Sequence, residues 1–119
     1  DAPDMIRHIV LIRFQPTVAD HRIAALFTEL HQIRDKVPGT LAITSGKSES
    51  PEQIERGYMH GFVVDFADWG ALQAYQDHPD HKRLGAGLVA AAEGGIDGIL
   101  VFDLAVADAD RGQDQKSLA

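Results

Sequence analysis

Residues 5–14 read MIRHIVLIRF, a run rich in β-branched side chains, apolar on both of its alternating sets and closed by Pro16. One set is Ile6, His8, Val10, Ile12 and Phe14; the other is Met5, Ile9 and Leu11 between Arg7 and Arg13. A strand of this kind needs cover on two faces. It therefore constrains the fold to a sheet that is covered on both sides.

The helices follow from spacing. Between Val18 and Val37 the residues Ile23, Leu26, Phe27, Leu30, Ile33 and Val37 form one apolar stripe, and Pro38-Gly39 stops it. Residues 41–47 predict a shorter strand, and residues 46–57 a loop with a turn of helix at 51–56. Residues 58–66, YMHGFVVDF, return to strand character, with His60, Phe62, Val64 and Phe66 on one face and Met59, Gly61, Val63 and Asp65 on the other.

Asp68 fits an N-cap for a helix carrying Trp69, Leu72 and Tyr75, which breaks at Asp77-His78-Pro79. Pro79 suits the first position of a further helix with His81, Leu84, Gly85, Leu88, Val89 and Ala92 at helical spacing, ended by Gly94-Gly95. Residues 96–106 are the last strand, and residues 107–119 are a polar tail that would lean on a partner if ordered. The order is the βαββαβ of a ferredoxin-like α+β fold with a four-stranded antiparallel sheet, first and third strands central. Its uncovered face, with Ile9, Leu11, Met59 and Val63, predicts a homodimer, sheet against sheet.

Composition narrows the partners. Eleven Lys plus Arg against eighteen Asp plus Glu give a formal net charge of −7, so nucleic acid and anionic membranes are not expected. No run approaches the ~20 apolar residues of a membrane span, and no basic-then-apolar leader opens the sequence. It therefore reads as a cytoplasmic domain, with which the absence of cysteine is compatible, and at this length its core needs no metal or cross-link. The sequence opens on Asp1, which puts the natural start upstream or at Met5.

Three histidines fall on inward positions: His8 with Val10 and Ile12, His60 with Phe62 and Val64, and His81 with Leu84 and Leu88. If the first and third strands pair, the rings of His8 and His60 can be neighbours, and Tyr75 lies just before His81. Each histidine alone reads as a satisfied core side chain. Together, imidazoles that exchange protons near neutral pH and a phenol that can donate to an oxyanion suit proton abstraction beside a carbonyl.

The other motifs carry less. Asp77-His78-Pro79-Asp80-His81 has ligand-type residues, but Pro79 breaks the regular helix that a ligand pair would use; no metal and no cofactor is assigned, and His78 is expected to cap the new helix or face solvent. His21 and His31 read as surface residues. Gly94-Gly95-Ile96-Asp97-Gly98 lies between helix and strand, the wrong order for a phosphate loop. Gly85 and Gly87 each cost about 1 kcal/mol within a helix and mark close packing or room for a ligand. Trp69 reads as a packing anchor.

The strings MIRHIVLIRF, ERGYMHGFVVDF, YQDHPDHKRLG and GILVFDL together resemble the stress-responsive A/B barrel family over residues 5–106. The resemblance implies a dimeric α+β barrel. That family includes plant stress-responsive proteins and a plant olivetolic acid cyclase, which closes a ring by aldol chemistry without a cofactor. Carried over, its motif Tyr-x-x-His-Pro-x-His makes His81 a general base and Tyr75 its positioning partner or proton donor. His8 and His60 become residues that polarise the substrate, and Phe62, Leu30, Leu84 and Leu88 the apolar lining. Leu30 stands where the cyclase has a pocket tyrosine, so its substrate orientation does not transfer.

The leading expectation is a homodimer that binds a small hydrophobic or carbonyl compound, with cofactor-free acid/base activity of the cyclase or lyase type. A non-enzymatic stress protein acting through its barrel or its assembly surface is the alternative. A cofactor-free monooxygenase is the third.

Overall fold

The computed structural model describes residues 5–107 and Asp110. Strand β1 (Met5–Ile12) leads to helix α1 (Asp20–Ile33) and a 3-10 turn at Arg34–Lys36; β2 (Thr40–Lys47) and β3 (His60–Phe66) follow. Helices α2 (Trp69–Asp77) and α3 (Pro79–Ala91), then a 3-10 turn at Gly95–Gly98, lead to β4 (Ile99–Val106). The sheet order is β2-β3-β1-β4 and every pair is antiparallel. This is the ferredoxin-like arrangement, with β1 and β3 central.

Alternation along β1 separates the two layers. Ile6, His8, Val10 and Ile12 are all buried beneath the helices, whereas Arg7 and Ile9 are half-buried and Leu11 is exposed on the opposite face. The stripe Ile23, Leu26, Phe27, Leu30 and Ile33 packs α1 onto that same layer. Gly39, at φ +89°, lets β2 start against α2: a Cβ there would meet the Ala71 Cβ at 2.7 Å.

The α2–α3 corner is built by two caps. The Asp68 carboxylate accepts from the Ala71 N–H at 2.8 Å, and His78 Nδ1 accepts from the Asp80 N–H at 3.0 Å, with Pro79 in the first turn. His78 is thus a cap.

Several boundaries differ from expectation. Strand β1 stops at Ile12 and Phe14 makes only an isolated bridge to Ala92, because Pro16 turns the chain. Residues 51–56 form no helix; the segment turns through Gln53 and Arg56, both at positive φ. Strand β4 starts at Ile99, since Gly95–Gly98 takes up a 3-10 turn. Trp69 is 57% exposed at the start of α2 and is therefore not a buried packing anchor. Most of the polar tail lies outside the described residues.

Candidate functional site

His8 occupies the helix-facing side of β1, between Val64 on β3 and Asp103 on β4. It is 4% exposed, and its Nδ1–H donates to the Asp103 carboxylate at 2.6 Å, which leaves Nε2 for other work. The stripe Ala71, Leu72 and Tyr75 turns α2 towards the sheet and seats the Tyr75 ring above His8, centroids 5.9 Å apart and edge to face. Phe66 flanks the same ring at 5.0 Å.

After the Pro79 corner, α3 returns His81 to the other side of Tyr75, centroids 4.4 Å apart. His81 Nδ1–H donates to the Gln76 carbonyl at 3.2 Å, so Nε2 is its basic nitrogen. Burial, more than any neighbour, lowers the His81 pKa from its ordinary 6.5, and the nearby His8 and His78 act in the same direction. The ring is therefore a neutral acceptor at neutral pH.

Tyr75 is wholly buried and its hydroxyl has no hydrogen-bond partner, while burial pushes its pKa far above the ordinary phenol value. Leaving such a group unsatisfied costs about 1–3 kcal/mol. A buried phenol between two imidazoles is a donor waiting for an acceptor.

His60 lies elsewhere. It pairs across the sheet with Ile12, four residues along β1 from His8, or roughly 13 Å. Its ring sits among Phe14 at 5.3 Å and Phe27 at 6.3 Å, and burial followed by Lys47 lowers its pKa. The expected His8–His60 neighbourhood is thus corrected: both rings share a layer, but the register separates them. Phe62 packs on Phe27 with centroids 6.2 Å apart, near His60. Leu30, Leu84 and Leu88 are buried members of the hydrophobic core.

Two further residues belong to the picture. Asp103 was not singled out from the sequence, although an acid on the core-facing set of GILVFDL was the signal. Gly85 lies on the α3 stripe between His81 and Val89, and a Cβ there would meet nothing within 4 Å. Gly87 instead packs closely, its added Cβ falling 3.1 Å from Leu26 Cδ2. Among the described residues no group of three His, Asp or Glu is placed to hold a metal ion. His31, exposed, bonds Ser45 at 2.8 Å.

The chain is 26% identical over 103 residues to the stress-response A/B barrel domain-containing protein HS1 of Arabidopsis thaliana, covering 87% of this chain and 91% of that protein. A dimeric ferredoxin-like protein of unknown function from Jannaschia sp. CCS1 superposes with a TM-score of 0.81 at 37% identity, covering 86% of this chain and 99% of the other. The hydroxynitrile lyase of Passiflora edulis shares the fold, with a TM-score of 0.78 at 18% identity over 89% and 96% of the two chains. No helix among the described residues is long and apolar enough to cross a membrane. The stress responsive A/B barrel domain model matches residues 6–106, nearly the whole described chain, and the protein belongs to that family.

Proposed function

We propose that this protein is a cytoplasmic homodimer that binds a small hydrophobic carbonyl compound beside Tyr75 and His81 and acts on it by acid/base chemistry without a cofactor. The observation that carries the reading is the Tyr75 hydroxyl, buried and without a partner between His8 and His81. A ligand oxygen accepting from it would remove the cost of leaving it unpaired.

In this reading His81 Nε2 takes the proton from the carbon next to the carbonyl, and Tyr75 donates to the oxygen as charge develops there. His8, held by Asp103 through Nδ1–H, polarises the same oxygen when its Nε2 also carries a proton. Gly85 leaves room beside His81. His60, with Phe62 and Phe27, would polarise or pack a more distant part of the ligand.

The homodimer rests on the open face, where Leu100, Phe102 and Leu104 are 47%, 60% and 43% exposed in line with Ile9 and Leu11. The Jannaschia relative is described as dimeric. One observation favours the non-enzymatic reading instead: β4 is exposed on its other face too, with Val101 at 58%, which suits further assembly.

The test is exchange in D2O. Wild type should speed deuterium incorporation at the carbon beside the carbonyl of an aryl methyl ketone, and His81→Gln should lose that effect. Equal rates with and without protein would contradict the acid/base reading.

A further inference from the structure

The strand register points one set of β4 side chains towards the helix layer, and the helices leave that set uncovered. Ile99, Val101 and Asp103 lie opposite Ile12, Val10 and His8, and so share the side on which the helices pack. Their three partners on β1 are buried, yet Val101 is 58% exposed. The helix layer stops short of β4 and leaves a trough above it.

Helix α3 forms the wall. Its buried line runs through Leu84 and Leu88; Gly87, one residue before Leu88, turns to α1, where an added Cβ would lie 3.1 Å from Leu26 Cδ2. Gly85, one residue after Leu84, is on the opposite flank, in line with His81 and Val89 at intervals of four. Helix α1 sits over β2, where its His31 bonds Ser45, so the flank turned away from α1 is turned to β4 at the other edge of the sheet. A Cβ on Gly85 meets nothing within 4 Å, and the wall is open there.

Wall and floor run in step. Tyr75 holds His81 at the level of His8, and at the far end Gln15 N–H donates to the Ala91 carbonyl while Phe14 bridges Ala92. Gly85, about 6 Å along the helix from His81, comes level with Val101, about 7 Å along the strand from Asp103. Val89, at about 12 Å, comes level with Ile99, at about 13 Å. The trough therefore begins at the Tyr75 and His81 pair and is apolar from there onwards.

Resting on the ligand site proposed above, we infer that this trough takes the unbranched apolar tail of the carbonyl ligand, with its oxygen at the Tyr75 hydroxyl and its chain over Val101 beside Gly85. The occupant follows from continuity: a chain leaving a carbonyl next to His81 passes straight onto the uncovered Val101 side chain and shields it from water. Charge narrows the class further. Asp103 stands at the head of the trough, while Lys36 and Arg83 are engaged by Asp80 on the other flank of α3. A ligand carboxylate would be repelled at that head, so the compound is an uncharged straight-chain ketone or aldehyde.

The test varies chain length. In ligand-observed NMR titrations of methyl ketones from butanone to undecanone, affinity for wild type should rise about twofold for each added methylene, as a chain buried on one side requires. The α-keto acid of equal length should bind at least about tenfold more weakly. Val101→Asp, at an exposed position that spares folding, should weaken binding by an amount that grows with chain length. A hexanone with a terminal trimethylammonium group should instead bind Val101→Asp at least about threefold more tightly than wild type, a gain that a merely structural role for Val101 would not give.

Ketone binding that is lost in Tyr75→Phe but ignores both chain length and the charge at Val101 overturns the trough and leaves the site beside Tyr75 and His81 standing. Binding of the keto acid as tight as that of the ketone overturns the selection by charge. A Val101→Asp variant that changes sedimentation and no ketone affinity makes Val101 an assembly contact and also overturns the trough. A series in which no ketone shows binding that depends on Tyr75 overturns both the trough and the site.

Discussion

Tyr75 and His81 lie ring against ring, 4.4 Å between centroids, although the Pro79 corner separates the helices that carry them. The corner sets the pair: His78 caps α3, Gln76 fixes the His81 tautomer through its carbonyl, and the phenol is left buried between His81 and His8.

Removing the Tyr75 oxygen should separate binding from stability. Tyr75→Phe keeps the ring contacts and deletes an unsatisfied buried hydroxyl, so urea unfolding should show unchanged or higher stability, by up to about 1–3 kcal/mol. Carbonyl ligands should bind more weakly to the same variant. A loss of stability with unchanged binding would make the hydroxyl structural.

Asp103→Asn should loosen His8. Replacing a carboxylate acceptor at 2.6 Å weakens a charge-assisted bond, and with Asp103 partly in solvent a loss of about 1–2 kcal/mol is expected in denaturant unfolding. Ligand affinity should fall with it. An unchanged midpoint and affinity would remove Asp103 from the site.

Helix α3 offers a contrast between neighbouring glycines. Gly85→Ala should stabilise the protein by about 1 kcal/mol, because its methyl enters open space, whereas Gly87→Ala should gain less because its methyl meets Leu26. Gly85→Leu should fold normally and bind ligand poorly, as melting and calorimetry on one sample would show.

The two half-buried imidazoles His60 and His81 set a pH dependence. Burial lowers the folded pKa of His60 and His81 below the ordinary 6.5, so the folded chain holds fewer protons there than the unfolded one. Their contribution is complete above about 6.5 and is lost as pH falls through the lowered values. The melting temperature should drop between about pH 8 and pH 5, and His81→Gln should flatten the drop. A rise towards pH 5 would contradict this.

Much of the fold was legible because faces obey periodicity. The two-residue repeat put His8 inward on β1, and the helical repeat put Tyr75 and His81 towards the sheet, where the three meet. Register was not legible in the same way: His60 also faces inward, but only the β1–β3 register pairs it with Ile12, away from His8. Asp103 was hidden for a related reason, since only the β1–β4 register makes it the neighbour of His8. Trp69 misled because its helical spacing placed it with Leu72 and Tyr75, whereas in the first turn of α2 Ala71 and Leu72 are buried and Trp69 is 57% exposed.

The central claim is that buried Tyr75 and its half-buried neighbour His81 receive a ligand. The most direct measurement is calorimetric titration with the small carbonyl or phenolic compound that most raises the melting temperature, using wild type, Tyr75→Phe and His81→Ala. The account predicts saturable binding to wild type at one site per chain, weakened at least about tenfold by either substitution, with the stabilisation following affinity by mass action. Equal binding by all three proteins, or no stabilising compound together with a His81→Ala variant that is only less stable, would contradict it.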